Sequence, residues 1–277
     1  MTEVNLSFFV AFLFQGGLSA GTVKSYLAAV RHEQISLGLG DPHRGAMPML
    51  EYVVKGLKKR TAGQTSRPRQ PITPQILRML KMVWQSSASR DDAVMLWAAV
   101  CMCFFVFLRS GEVVAPAEAD YDPAVHLSYG DVRVDDVDTP HYLEVRIKAS
   151  KTDPFRKGIS VYLGRTDTDL CPVAAILGYM VHRGSRQGPF FMFQDGRFLT
   201  RDRFVAQVRR ALQAAGVDSS QYAGHSFRIG AATTAALCGI QDSLIKTLGR
   251  WESSAYTLYI RTPRTTLCSI SRRLVSK

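Results

Sequence analysis

The apolar positions of this 277-residue chain follow a helical period over most of its length. Between residues 20 and 37, large side chains recur near the spacing that lines one helix face: Val23, Tyr26, Leu27, Val30 and Ile35. Such a stripe predicts a helix with one buried face. Apolar residues at helical spacing also predict helices over residues 5–14, 49–60, 74–86, 90–108, 172–183, 200–215, 225–238 and 240–248.

The pattern changes to alternation in the middle of the chain. Residues 142–148 and 158–163 place apolar and polar side chains in turn, which is typical of half-buried strands. The basic stretch between them predicts a hairpin turn, and residues 131–134 supply a third strand. The predicted fold class is therefore mainly α with a small antiparallel β-sheet, an α+β arrangement.

A polar stretch divides the helical pattern into two parts. Residues 61–75 carry three prolines and almost no large apolar side chain, which is the composition of an interdomain linker. We expect a helical N-terminal domain over residues 1–62, a linker over 63–75 and a second domain over 76–277. The second domain ends in a short amphipathic tail helix, residues 265–277, with Leu267, Ile270 and Leu274 on one side.

The chain is strongly basic, with a net charge of +12 and a pI of about 9.7. This excess indicates nucleic acid or an anionic membrane surface as the partner, and a solvated basic surface is the alternative. The longest apolar run, residues 93–108, is shorter than the ~18–20 residues of a membrane span. The sequence therefore favours nucleic acid and predicts no membrane-spanning segment.

The five cysteines are odd in number and none shows CxxC spacing. Three of them lie in apolar surroundings, which favours free thiols over disulfides or a zinc site. The N-terminus has an apolar stretch but no basic region before it and no cleavage pattern of small residues, so we expect no signal peptide. These features predict a reducing compartment, either the cytosol or the nucleus.

Basic side chains are concentrated at the end of the helix predicted over residues 49–60. The cluster continues into the linker and contains Lys55, Lys58, Lys59, Arg60, Arg67 and Arg69. Cations at a helix C-terminus can simply complement the helix dipole. Their density here favours contacts with DNA phosphates, because lysine and arginine neutralise phosphate charge.

Candidate chemistry lies in the second domain. Arg109 follows a wholly apolar helix, and Glu112 is either its structural partner or the group that orients it towards an anionic ligand. Lys151 lies in the predicted hairpin turn, where a lysine is most often merely solvated. His225 and Arg228 are three residues apart at a predicted helix N-terminus, which places them on one face and near free N–H groups that favour an anion.

Two tyrosines end this series of candidates. Tyr256 and Tyr259 follow Trp251 and are three residues apart, so they share one face of a predicted helix. Aromatic pairs are usually part of a core, which makes packing the ordinary interpretation. The alternative is that one hydroxyl is a nucleophile beside a phosphate that the cations bind.

The order of these segments resembles the tyrosine recombinases, the phage-integrase type of site-specific DNA recombinase. The resemblance rests on Gly-His-Ser-Phe-Arg-Ile-Gly-Ala-Ala-Thr at 224–233, Leu-Gly-Arg-Trp at 248–251 and Tyr-Ile-Arg-Thr-Pro at 259–263. It extends over most of the chain and is strongest with recombinases of eukaryotic mobile elements, the DIRS/Ngaro-like and Crypton types. It implies a core-binding (SAM-like) DNA-binding domain followed by a linker and a catalytic domain.

The resemblance also implies which residues form the catalytic site. Tyr259 matches the nucleophile, and Trp251 matches a position that holds histidine or tryptophan in the family. The family spacing between those two positions is about nine residues, against eight here. The matched residues are, in chain order, Arg109, Glu112, Lys151, His225, Arg228, Trp251 and Tyr259.

The roles implied for these side chains belong to phosphoryl transfer through a covalent intermediate. Arg109 and Arg228 would stabilise charge on the phosphoryl oxygens, with Glu112 supporting Arg109. Lys151 would protonate the leaving 5′-oxygen, and His225 would take the tyrosine proton or bond a phosphoryl oxygen. The indole N–H of the tryptophan would donate to the phosphate.

The resemblance further implies double-stranded DNA as the partner, with no metal, nucleotide or other small-molecule cofactor. It implies DNA integration or transposition by a mobile element, a homo-tetramer assembled on two DNA sites through the tail, and a nuclear location. A prokaryotic cytoplasm replaces the nucleus if the subfamily differs. Two alternatives stay open: a domesticated, catalytically silent DNA-binding protein, and a type IB topoisomerase-like enzyme that relaxes DNA.

Overall fold

The computed structural model describes residues 2–61, 68–86, 89–151, 153–263 and 266–268. Over these ranges the chain is mostly helical with one three-stranded antiparallel sheet, which confirms the predicted fold class. It divides into two compact units, Met1–Pro68 and Arg69–Lys277. Within the described ranges, no helix combines the length and the apolar content needed to cross a membrane.

Three helices form the first unit: α1 (Glu3–Gln15), α2 (Ala20–Ser36) and α3 (Pro48–Thr61). The side chains of Thr2 and Ser19 accept hydrogen bonds from backbone N–H groups in the first turns of α1 and α2, which begins both helices where the sequence allows a cap. The unit is held by a small hydrophobic cluster of Leu6, Val10, Leu13, Val23, Leu27 and Leu50.

The buried face of α2 is narrower in the structure than the sequence predicted. Val23 and Leu27 are buried, but Tyr26 and Ile35 are about half exposed. A unit of this size buries a smaller share of its surface than a larger domain does, so some periodic apolar positions have no partner.

Seven α-helices of four or more residues lie within the described part of the second unit: α4 (Pro74–Gln85), α5 (Arg90–Phe105), α6 (Ser110–Val113), α7 (Pro172–Arg183), α8 (Arg201–Ala214), α9 (His225–Leu237) and α10 (Asp242–Gly249). Helix α5 is apolar on all sides and packs against α4, α7 and α9. A helix that is hydrophobic all round is stable only when it is surrounded, so α5 forms the centre of this unit.

The apolar run predicted as one helix over 90–108 ends earlier, at Phe105. Phe107 then takes a left-handed backbone conformation (φ 54°), and Arg109 becomes the N-cap residue of a separate short helix, α6. The hydrophobic period continues through this break because Val106, Phe107 and Leu108 are themselves buried. Periodicity alone therefore could not locate the turn.

The sheet consists of β1 (Val132–Val134), β2 (Tyr142–Ile147) and β3 (Ile159–Gly164) in that order. Val145 of β2 lies opposite Val132 on one side and Val161 on the other. Buried and less buried residues alternate along β2 and β3, as the sequence predicted. The connection between β2 and β3 carries Lys151.

The second half of the predicted linker belongs to the second unit. The backbone N–H of Gln70 donates to the carbonyl of Gln221 (3.0 Å), and that of Ile72 donates to the carbonyl of Ser226 (2.9 Å). Ile72 is fully buried, and a Cβ on Gly230 of α9 would lie 1.8 Å from its carbonyl oxygen. The absence of a side chain at Gly230 therefore permits this extended segment to lie directly on α9.

Candidate active site

The N-terminal ends of α6 and α9 lie against each other and bring the first two candidates together. A Cβ on Gly224, the residue before α9, would lie 2.1 Å from Oγ of Ser110 in α6. This contact places Arg109, at the start of α6, near His225, at the start of α9. The two short sequence segments that carry them are more than one hundred residues apart.

Arg109 is held by Glu112. Its Nη1 donates to Oε1 of Glu112 (3.1 Å), and its backbone N–H donates to Oε2 of the same carboxylate (2.8 Å). The Arg109 side chain is 20% exposed, whereas that of Glu112 is 4% exposed. Glu112 is therefore a structural partner of Arg109 that leaves the arginine accessible from one side.

Glu112 also holds a second arginine, Arg250. Nη2 of Arg250 donates to Oε2 of Glu112 (2.9 Å), and Nη1 donates to the carbonyl of Val106 (3.3 Å). Arg250 follows α10 and has left-handed backbone angles (φ 54°, ψ 47°). Burial lowers its pKa, and the attraction of Glu112 opposes that effect.

Arg228 is fully buried and held by main-chain oxygens and aromatic rings. Nη1 donates to the carbonyl of Phe107 (2.7 Å), and Nη2 donates to the carbonyl of Gly249. The guanidinium carbon lies 4.1 Å from the centre of the Trp251 ring and 5.6 Å from that of Tyr259. Burial, followed by repulsion from Arg109 and Arg250, lowers the pKa of Arg228 to about 10, so it stays a cation at neutral pH.

Trp251 lies where a glycine leaves room for it. A Cβ on Gly249 would come within 1.6 Å of the indole ring, so any other residue there would displace the tryptophan. The ring is half-buried, and its face is occupied by the guanidinium of Arg228. In this arrangement Trp251 acts on Arg228 through a cation–π contact.

The two tyrosines lie on a 3₁₀ turn, Ser254–Tyr259, rather than on the α-helix that the spacing suggested. Residues three apart are eclipsed in a 3₁₀ turn, so both rings still project to one side. They contact the same indole, with ring centres 6.4 Å (Tyr256) and 5.1 Å (Tyr259) from that of Trp251. The shared face was therefore predicted correctly, although the helix type was not.

Their hydroxyl groups differ in environment. The Tyr256 hydroxyl donates to Oδ2 of Asp242 (2.7 Å), which raises the pKa of Tyr256, and the residue is buried. Tyr259 is half-buried, and its backbone carbonyl accepts a hydrogen bond from Oγ1 of Thr233 (3.2 Å). The Tyr256 hydroxyl is thus bound to Asp242 of α10, and Tyr259 is the tyrosine whose ring lies beside Arg228.

His225 and Arg228 share a helix but not an environment. His225 keeps an exposed edge at the first turn of α9, whereas Arg228, one turn later, is enclosed. Desolvation, followed by repulsion from Arg109, Arg201, Arg228 and Lys151, lowers the pKa of His225. The imidazole is therefore neutral at pH 7 and can accept a proton.

Lys151 lies on the exposed connection between β2 and β3. Its charge contributes to the lowered pKa of His225, which places it on the same side of the unit as the other candidates. The base of that connection and α10 also enclose a cleft of about 540 Å³, whose lining includes Ser150, Lys157, Lys246, Arg250 and Trp251.

Two cations of the site were missed by the sequence argument. Arg250 had a usable signal, since a spacing of nine residues back from Tyr259 leads to Arg250 and not to Trp251. Arg201 had none, because nothing in the sequence placed the start of α8 beside His225. Over the described residues, no group of three or more His, Cys, Asp and Glu side chains forms a metal-binding cluster.

The predicted DNA-binding cations of the first unit form an exposed cluster. Lys55, Lys58, Lys59 and Arg60 are all exposed on the second half of α3. The neighbouring amine of Lys24 on α2, which the sequence argument missed, lowers the pKa of Lys58. Two amines held together in this way favour an anion between them.

The two linker arginines of the predicted cluster have different outcomes. Arg67 lies outside the described residues. Arg69 belongs to the second unit, where its Nη1 donates to the carbonyl of Ser220 (3.2 Å). The cluster on α3 therefore consists of the four residues at positions 55, 58, 59 and 60, together with Lys24.

No family model matches this chain. Among curated proteins, it is similar to an integrase/recombinase XerD homolog of Selenomonas ruminantium, with 26% identity over 227 residues. The aligned region covers 78% of this chain and 61% of that relative, so the chain spans about three fifths of the relative's length.

Solved structures show the same fold at low sequence identity. The XerH site-specific recombinase bound to palindromic difH substrate, in a post-cleavage complex, has a TM-score of 0.67 and 17% identity over 98% of this chain and 73% of that one. The Tn1549 transposon integrase in complex with circular intermediate DNA has a TM-score of 0.59 and 12% identity, over 100% and 85%. The XerA recombinase has a TM-score of 0.55 and 15% identity, over 98% of each chain. The solved structures therefore show that this chain has the fold of these recombinases and integrases.

Proposed function

We propose that this protein cuts and rejoins duplex DNA through a covalent 3′-phosphotyrosyl intermediate on Tyr259. The observation that carries the proposal is the excess of positive charge in the site: Arg109, Arg228 and Arg250 surround one carboxylate, that of Glu112. Three cations and one anion leave two positive charges in a largely desolvated region, which a bound phosphodiester would compensate.

Unpaired donors support the same conclusion. Nε of Arg228 and Nε of Arg250 are buried, and neither has a hydrogen-bond partner among the described residues. Buried polar groups in native proteins nearly always have a partner, so two orphaned donors in one cluster indicate a site that accepts a further hydrogen-bonding group.

In the proposed reaction, the Tyr259 oxygen attacks the phosphorus and the bond from phosphorus to the 5′-oxygen breaks. The 5′-oxygen leaves with a proton, for which Lys151 is the candidate donor. Attack of a 5′-hydroxyl on the phosphotyrosine then restores a phosphodiester and releases Tyr259. The covalent intermediate preserves the bond energy, so the cycle needs no nucleotide hydrolysis.

Arg109 and His225 both keep access to solvent and have different roles in the proposed reaction. Arg109 is partly exposed, and the N–H groups not used by Glu112 can bond phosphoryl oxygens. His225 is neutral at pH 7 because its pKa is lowered, so it can take the Tyr259 proton or donate to an oxygen. Such preorganised donors commonly supply several kcal/mol of transition-state stabilisation.

Arg228 needs a change of conformation before it can contact phosphate directly. Both of its terminal nitrogens donate to backbone carbonyls, and Trp251 covers its face. A direct contact therefore requires the segment from Gly249 to Tyr259 to shift and uncover the guanidinium. In the covered state Arg228 contributes its positive charge at short range.

The test is the formation of a covalent adduct with a pool of nicked duplexes whose sequence around the nick is randomised. Adduct is detected as a shifted band on a denaturing gel. We expect adduct in EDTA, its loss in Tyr259→Phe and its retention in the matched variant Tyr256→Phe. Adduct that is lost from Tyr256→Phe and kept in Tyr259→Phe would overturn the assignment, and a requirement for Mg²⁺ would indicate a different enzyme class.

We further propose duplex DNA as the partner, with the first unit as the core-binding domain and its basic cluster on phosphates. The DNA complexes named for XerH and the Tn1549 integrase support that partner. The tetramer on two DNA sites, the role of the tail, the eukaryotic mobile-element subfamily and the nuclear location stay predictions. Of the tail, residues 266–268 lie within the described ranges, and they are helical.

A further inference from the structure

We propose that Arg250 is a positioning residue that keeps Arg109 available for phosphate by holding Glu112. This inference rests on the function proposed above and assigns a task to a residue that the motif comparison passed over. It follows from four features of the structure: a hydrogen-bond chain, burial, a left-handed backbone and the number of donors that Arg109 retains.

The hydrogen-bond chain joins two arginines through one carboxylate. Oε1 of Glu112 accepts from Nη1 of Arg109 (3.1 Å), and Oε2 accepts from Nη2 of Arg250 (2.9 Å). Arg250 is itself fixed, because its Nη1 donates to the carbonyl of Val106 (3.3 Å) in the turn that leads to α6. The Glu112 carboxylate is therefore fixed by Arg109 at one oxygen and by Arg250 at the other.

The three side chains of this hydrogen-bond chain differ in their exposure to solvent. The side chains of Arg250 and Glu112 are 10% and 4% exposed, whereas that of Arg109 is 20% exposed. Water competes least with the inner pair, so the carboxylate remains on Arg250 while the outer arginine keeps solvent access. Arg250 and Glu112 therefore hold the side chain of Arg109 in place, and Arg109 is the arginine that can contact the phosphate.

The backbone of Arg250 indicates that its side chain is required. It occupies the position after α10 with φ 54° and ψ 47°, a conformation in which glycine is usual at helix ends. A residue with a Cβ costs about 1–2 kcal/mol in that conformation. The contacts of the guanidinium with Glu112 and Val106 offset this strain, and glycine would avoid the strain but lose the contacts.

The consequence for the reaction concerns the free donors of Arg109. An arginine and a carboxylate without other partners tend to pair through two parallel hydrogen bonds. Oε2 of Glu112 accepts from Nη2 of Arg250 and from the backbone N–H of Arg109, so the Arg109 guanidinium keeps a single bond to the carboxylate, through Oε1. Without Arg250, Oε2 would lose its guanidinium partner and would accept from the Arg109 guanidinium as well, in competition with the phosphate for the same N–H groups.

The experiment uses four variants of the full chain: Arg250→Gln, Arg250→Lys, Glu112→Gln, and the double variant with Gln at both positions. For each, we would measure the single-turnover rate of adduct formation on nicked duplex, the affinity for intact duplex and the thermal unfolding midpoint. Arg78→Gln is the matched control, since Arg78 pairs with Asp169 on the surface of the same unit and lies outside the site.

We expect Arg250→Gln to lower the adduct rate about 30-fold while duplex affinity changes less than about threefold, because misplaced catalytic groups affect the rate far more than the binding. Arg250→Lys should recover part of the rate. The double variant removes both charges of the pair, so its unfolding midpoint should rise above that of Arg250→Gln. Its rate should rise above that of Arg250→Gln, because no carboxylate is left to compete for the Arg109 guanidinium, and should stay below that of the wild type, because Arg109 has lost its support.

Two results separate this inference from the proposed function. If the wild-type chain forms a Tyr259-dependent adduct and the double variant recovers stability but reacts no faster than Arg250→Gln, Arg250 has only a structural role and the inference is wrong. The same conclusion follows if Arg250→Gln reacts as fast as Arg78→Gln. If the wild-type chain forms no adduct on any duplex of the pool, the proposed function itself fails.

Discussion

The cations of the first unit and those of the second unit are held in opposite ways. On α3, four basic side chains are exposed, and the amine of Lys58 lies beside another amine, that of Lys24. In the second unit, Arg109 and Arg250 share the carboxylate of Glu112, and Arg228 lies between carbonyls and an indole ring.

This difference separates affinity from chemistry. Exposed cations act through long-range attraction and the release of counterions, so their contribution depends on salt and little on geometry. Enclosed cations are screened less by salt, and their hydrogen bonds fix where a phosphate can lie. We therefore expect the first unit to govern how tightly DNA binds and the second unit to govern whether it reacts.

The largest expected effect is the loss of reaction without the loss of binding. Tyr259→Phe removes one oxygen and leaves the ring contacts with Trp251 and Arg228, so the adduct rate should fall at least about 1,000-fold. Duplex affinity should stay within about twofold, because a neutral hydroxyl contributes little to an electrostatically dominated complex. Parallel gel-shift and adduct assays on the same duplex make this comparison.

The next effect concerns stability. Arg228→Lys should destabilise the second unit by about 2–4 kcal/mol, since a lysine cannot serve the carbonyls of Phe107 and Gly249 together and loses the stacking on Trp251. Lys59→Ala on exposed α3 should change stability by less than about 0.5 kcal/mol. Urea unfolding of both variants checks the contrast, and equal effects would contradict it.

A smaller effect concerns the salt dependence of duplex affinity, which we expect the first unit to govern. Replacing both Lys58 and Lys59 by Ala should lower duplex affinity several-fold and reduce the slope of log affinity against log salt by about one for each lost phosphate contact. The single-turnover rate at saturating DNA should not change. A slope unaltered by the double replacement would mean that α3 does not contact phosphates.

The smallest effect is a pH dependence at His225. Its pKa lies below the ordinary value of 6.5, so the folded protein binds fewer protons there than the unfolded chain does. The sign follows: stability from this group is complete above pH 6.5 and is lost as the pH falls below it. The adduct rate should be level from about pH 8 to 6.5 and decrease at lower pH, where the imidazole becomes protonated. In urea unfolding, His225→Gln should reduce the loss of stability that the wild-type chain shows as the pH falls below about 6.5.

The element pattern of this fold could be predicted well from the sequence, because helix and strand periods are local properties. The predicted starts of α3, α4, α5, α7, α8 and α9 agree with the structure to within one residue. Local pattern failed where the chain turns without changing hydrophobicity, at Phe107, and where a tight turn imitates helical spacing, at Tyr256 and Tyr259. It also treated Ile72 as part of a linker, although this residue is fully buried against α9.

The amino-acid sequence alone was enough to predict the fold class, the basic character of the chain and a set of candidate site residues that lacked Arg201 and Arg250. These depend on composition, periodicity and short motifs, which the chain carries in its order. The folded structure was needed to show that Glu112 binds two arginines, that Trp251 covers Arg228 and that Tyr256 donates to Asp242. The reason is that each of these contacts joins separate elements, and packing fixes which side chains meet and how much water reaches them.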